Sequence, residues 1–206
     1  MGGPGRPRAL VAVSRVAPDI VTVGLVRQDR RMPPIEDQRR ASVTYASSSL
    51  IGDALSQRLT TVNVTIGEPG RVDPSWWDVE LERARPSLEL MARRIDQVMA
   101  QGLKPISALT RCAVALATQP VVLRHRPDAV VVWMDAHADL NEPGNTTTGY
   151  LGGMALSGVL GWWDSGLGAG LPPSQAVLVG ARDLDPAEQA QIEAGRVVTV
   201  AVGEGL

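Results

Sequence analysis

Val130-Val-Val-Trp-Met-Asp135-Ala-His137-Ala-Asp139-Leu-Asn141 is an unbroken apolar run that ends in three metal-capable side chains at i, i+2 and i+4. A short continuous apolar run fits a strand buried on both faces, the kind found in a parallel sheet covered by helices. Alternation would set all three polar side chains on one face of a straight strand. At roughly 3.3 Å per residue they would then span about 13 Å, so a single cation can be shared only if the chain curls after Asp135. Two carboxylates and an imidazole form a hard oxygen and nitrogen set. It suits manganese or magnesium better than a thiolate-bound structural zinc, and manganese is the preferred ion. An aspartate capping the next loop beside a hydrogen-bonded core histidine would use the same residues. The chain has only two histidines, and one of them stands between two aspartates after a strand, which favours the metal reading.

Outward from this stretch, residues 20–26, 62–66, 105–108, 176–179 and 197–202 read as further strands. Trp77, Leu81, Ala84, Leu88, Met91, Ile95 and Val98 recur in steps of four and three, lining one face of a helix. Pro86 is expected to break that helix and open a new one at its first turn, and Gly102 to stop it. Strands alternating with helices predict an α/β fold with a mostly parallel sheet, whose ligands bind at the carboxyl ends of the strands. Residues 1–8, rich in Gly, Pro and Arg, read as a disordered tail, and residues 9–206 as a single domain. Residues 27–40 mix arginines with acids and read as a solvated loop.

The 206 residues carry a net charge of −2, spread along the chain, which argues against a nucleic-acid or membrane-surface partner and for a small molecule. No apolar stretch approaches the roughly 20 residues that span a bilayer. Cys112 is the single cysteine, so no internal disulfide can form, and the N-terminus lacks the apolar segment of a secretory signal; the expected location is cytoplasmic. Gly166-Leu-Gly168-Ala-Gly170 runs into Leu-Pro-Pro instead of opening a helix after a strand, which lacks the context of a dinucleotide fingerprint.

Asp135-Ala-His137-Ala-Asp139 after an apolar strand resembles the Asp-Ala-His-x-Asp motif of the ureohydrolase superfamily of arginases, agmatinases and formiminoglutamases. The resemblance continues through residues 141–156, similar to that family's substrate loop and following helix. It resumes at Gly180-Ala-Arg182-Asp183-Leu-Asp185-Pro186-Ala-Glu188, similar to Gly-x-Arg-Asp-x-Asp-Pro-x-Glu. It implies an arginase-like three-layer αβα sandwich and a metal-dependent amidinohydrolase, in which a hydroxide bound by two manganese ions attacks a guanidino or formimino carbon. By the same resemblance Asp135 would bridge the two ions, Asp139 bind the first and His137 the second. Asn141 and Thr148 would contact a substrate carboxylate, and Asp185 and Glu188 its α-amino group. No protein residue is assigned the catalytic step itself. The implied partners are a small guanidino or amino-acid-like substrate and further copies of the chain in a homo-oligomer.

Four departures from the family pattern shape the expectations. Cys112 stands where the family has a metal-binding His, which makes it a further candidate ligand, and Arg111 beside it adds a positive charge. Gly152 stands at the position of a proton-shuttling His. The chain ends at Leu206, ahead of the family's Ser-x-Asp-x-Asp motif and late catalytic Glu. The two strands missing there are central in the family sheet, between residues 105–108 and 130–134, so either those flanking strands pair directly or apolar edges stay exposed until another chain covers them, and association or marginal stability is expected. A second reading therefore keeps the fold without the catalysis, as a binding or scaffolding subunit, and a third is a single-metal hydrolase that uses Cys112.

Overall fold

The computed structural model describes residues 50–55, 66 and 75–201. The strand expected at 20–26 and nearly all of that at 62–66 lie outside these residues, as does the tail at 1–8. Among the described residues three parallel strands form one sheet in the order β1 (Val131–Met134), β2 (Ala176–Val179), β3 (Val198–Val200). Val131 pairs with Ala176 and Trp133 with Leu178. Val177 pairs with Val198 and Val179 with Val200.

Among the described residues, 50–55 are helical, and four further α-helices accompany the strands: α1 (Trp77–Ala100), α2 (Ala115–His125), α3 (Ala155–Val159) and α4 (Pro186–Glu193). In α1 the stripe read from the sequence is the buried face, with Leu81, Leu88, Met91, Ile95 and Val98 all in the core. The expected break at Pro86 does not occur, and α1 runs through it as a single helix. Pro86 lies on the exposed side, where water can satisfy the carbonyl that a proline leaves without a donor, while burial of the stripe on both sides opposes a break. Gly102 does end the helix, at φ 74°, with its N–H bonded to the carbonyl of Met99 and that of Leu103 to Val98.

The two faces of the sheet differ. Ala176 and Leu178, both fully buried, pack with Ala138, Leu140, Leu156, Val159 and Leu171, and Val131 and Trp133 join them. On the other face Val132, Met134, Val198 and Val200 are 56%, 57%, 49% and 43% exposed, with nothing over them among the described residues. Residues 105–108 form no strand. Among the described residues no strand stands beside them to complete a ladder, and β1 pairs there only with β2. The glycine-rich run at 166–170 is a loop that opens no α-helix. No helix among the described residues is long and apolar enough to cross a membrane.

Candidate metal centre

The centre lies at the carboxyl ends of β1 and β2, where a parallel sheet presents its loops. The Asp135 N–H donates to the Val179 carbonyl at 3.2 Å, extending the ladder one residue beyond β1. The chain then bends at Ala136 and His137 and passes through Asp139 at φ 52°, in the left-handed region. This is the curl that the i, i+2, i+4 spacing requires. Its backbone is tied on both sides. The Ala136 carbonyl accepts from the N–H groups of Arg182 and Asp183, and the Asp139 carbonyl from those of Leu156 and Ser157. Asn141 is held by its N–H donating to the Gly153 carbonyl and by the Ser157 hydroxyl donating to the Asn141 carbonyl.

The curl brings Asp135 and Asp139 together with Cys112, one donor atom of each lying within 4.8 Å of the others. Cys112 opens a short 3-10 turn, Cys112–Val114, that leads into α2. Its Sγ stands 3.8 Å from Asp135 Oδ2. Burial, reinforced by Asp139 and Asp135, pushes the thiol far above its ordinary pKa. Two negative carboxylates around a thiol disfavour the thiolate, and a bound cation would reverse that balance.

His137 is buried but does not join this trio. Its N–H donates to Asp135 Oδ1 at 3.0 Å; its Nδ1 lies 3.3 Å from the same oxygen and its Nε2 3.5 Å from Asp183 Oδ2. Asp135 thus has one oxygen toward Cys112 and the other toward His137. Asp183, on the loop after β2, is a site residue that the sequence reading quoted but assigned no role; only the pairing of β1 with β2 sets it against His137. The positive charge of Arg111 is met by Glu80 of α1, which forms an ion pair with it, so that guanidinium does not face the centre uncompensated.

The candidate substrate residues occupy distinct settings. Asn141, 4% exposed, donates from Nδ2 to Asp185 Oδ2 at 2.7 Å. Asp185 is the N-cap of α4 and forms a reciprocal capping box with Glu188. Glu188 is fully buried, and its carboxylate also accepts from the Leu140 N–H at 3.3 Å. Thr148 is exposed, and its hydroxyl accepts from the Tyr150 N–H. At Gly152 a Cβ would meet the Tyr150 ring at 2.3 Å, so the tyrosine fills the space a side chain there would need. Burial also raises the pKa of Tyr150, which stays protonated.

Two carboxylates and a thiol converging on one point, with an imidazole against the shared carboxylate, are able to hold a divalent cation. The arginase family model matches residues 29–202. The N(omega)-hydroxy-L-arginine amidinohydrolase of Streptomyces lavendulae is 41% identical over 80% of this chain and 60% of its own length. In structure the chain is similar to the arginase of Bacillus caldovelox, with a TM-score of 0.62 and 25% identity over 78% of this chain and 57% of that one. It is equally similar to the arginase of Bacillus subtilis, also at TM-score 0.62 and with the same coverage, at 24% identity. The chain therefore spans about 60% of the length of the first of these relatives. With a family match across most of its residues and an arginase-like α/β fold, this chain belongs to the arginase family.

Proposed function

We propose that the chain provides the metal-binding part of an amidinohydrolase acting on a guanidino amino acid. The observation that carries this reading is the meeting of Asp135, Asp139 and Cys112 at the carboxyl edge of the sheet, in a chain of the arginase family. Asp135 and Asp139 would hold the cation. Asp135 has a second oxygen turned to His137, which supports the bridging role that the family resemblance implies. Manganese is the ion of that resemblance, and the carboxylates suit it. When bound, such a cation lowers the pKa of water and stabilises charge developing on the substrate.

The protein's own groups supply position and polarity. The capped start of α4 and the Asn141–Asp185 bond place a carboxylate and an amide side by side near the centre, a pair able to orient an amino-acid head group. The relative from Streptomyces lavendulae is named for N(omega)-hydroxy-L-arginine, which makes arginine and its N-hydroxylated form the first substrates to try. Further copies of the chain are the proposed partners, through the exposed valine face of the sheet.

The test is metal content by elemental mass spectrometry after chelator stripping and reloading, alongside urea release from both substrates. Stoichiometric metal that is lost in Asp135→Ala, together with metal-dependent urea release, supports the reading. Absence of specific metal at any loading overturns it.

A further inference from the structure

Glu142 is the residue around which the loop after Asn141 is wound. Its carbonyl accepts from the N–H groups of Asn145 and Thr146, and its N–H donates to Asn145 Oδ1 at 2.7 Å. Further along, the Thr146 hydroxyl accepts from the Gly149 N–H and that of Thr148 from the Tyr150 N–H. Bonds between such near neighbours shape a loop but do not fix where it lies against the rest of the fold. The Glu142 side chain reaches outside the loop. Its Oε1 accepts from Gln191 Nε2 of α4 at 3.4 Å, and Gln191 Oε1 accepts from Arg196 Nη1 at 2.7 Å. An arginine only donates, so Arg196 draws the oxygen of that amide toward itself and leaves its NH2 group to face Glu142. Arg196 is held in turn by the half-buried Trp162, just beyond α3, with its guanidinium 3.7 Å over the ring. The direct approach of Arg196 to Glu142, 3.9 Å between side chains 42% and 27% exposed, is worth little by itself. The ring and the amide fix the guanidinium.

We propose that Arg196 is a positioning residue for the substrate loop: stacked on Trp162 and bonded to Gln191, it holds Glu142, and through Glu142 residues 142–148, in the place from which the loop meets the substrate. The inference rests on the proposed function above. Arg196 acts on substrate affinity through the loop, without touching the substrate or the metal-capable side chains.

The experiment uses the full chain loaded with manganese, with arginine and its N-hydroxylated form as substrates, and compares wild type with Arg196→Ala, Arg196→Lys, Trp162→Leu and Trp162→Phe. Circular dichroism establishes that each variant is folded, and hydrogen exchange reads the loop directly. A cation–π contact at an exposed site corresponds to about 2- to 5-fold in an equilibrium constant. Arg196→Ala and Trp162→Leu are expected to speed exchange of the loop amides at 142–149 by at least about twofold, with α1 unchanged. They should also raise KM by up to about fivefold while kcat and metal content stay near wild type. Trp162→Phe, which keeps a ring, and Arg196→Lys, which keeps the charge, should each recover part of both effects. Loop exchange or KM equal to wild type in Arg196→Ala overturns the positioning role and leaves the proposed function standing. A wild-type chain that releases no urea from either substrate overturns both.

Discussion

The side-chain amide of Asn141 donates to Asp185 Oδ2 at 2.7 Å and so joins the loop after β1 to the first turn of α4. One carboxylate thereby serves two tasks, because the other oxygen of Asp185 caps the helix through the Glu188 N–H. Asp185→Ala is expected to cost about 1 to 3 kcal/mol, from loss of the cap and of a partner for a buried amide. Urea unfolding measures this, and a cost below about 0.5 kcal/mol would show that the cap is dispensable.

Glu188 carries more than its helix. Its buried carboxylate accepts from the N–H of Leu140, directly after the metal-capable Asp139. Glu188→Ala should destabilise the chain by about 2 to 4 kcal/mol by leaving backbone donors unsatisfied. Beyond the drop in stability, metal affinity should fall at a temperature where the variant is still folded. Unchanged affinity in a folded variant would separate Glu188 from the centre.

Gly149 sits at φ 61°, and a Cβ there would lie 2.1 Å from the Trp76 ring. Gly149→Ala combines overlap with a left-handed backbone, and a loss of about 1 to 3 kcal/mol is expected. Thermal melting reads it directly. The paired change Gly149→Ala with Trp76→Ala should recover part of the loss if the ring is the obstacle.

Cys112 should react slowly with iodoacetamide in the metal-free native chain, since burial and the flanking carboxylates keep its thiol protonated at neutral pH. Alkylation should accelerate sharply in urea, where the ordinary thiol pKa returns. Equal rates in the two conditions would contradict the environment described for the sulfur.

The exposed valine face of the sheet, over which nothing lies among the described residues, has a solution consequence. Val132 and Val200 point to the same side of the sheet and are 56% and 43% exposed. Val132→Lys with Val200→Lys is expected to lower concentration-dependent light scattering, because charge on an exposed apolar sheet face opposes association. If scattering is unaltered by the double change, self-association does not run through this face.

Much of the fold was legible from pattern alone. The bounds of β2 were read without error and those of β1 and β3 nearly so, because β-branched apolar runs bounded by turn residues leave few alternatives. The stripe from Trp77 to Val98 announced α1 by a different signal, apolar residues in steps of four and three that line one helix face. Pro86 misled, since a local rule about proline takes no account of which side of the helix faces water. Residues 105–108 misled in the opposite sense, because an apolar run becomes a strand only when another strand lies beside it.

The sequence by itself determined that Asp135, His137 and Asp139 follow an apolar strand, and that they can converge only if the chain curls; that one face of this strand is exposed, with Val132 and Met134 open, was decided by the tertiary structure. Tertiary structure decided which of them meet. The bend at His137 and the left-handed Asp139 turn the two carboxylates toward Cys112, 23 residues before Asp135 in the chain. The imidazole is directed instead toward Asp183, a partner set by strand pairing. Spacing along a chain limits which side chains share a face. Which ones share a point depends on backbone torsions fixed by hydrogen bonds from elsewhere, here from Arg182, Asp183, Leu156 and Ser157.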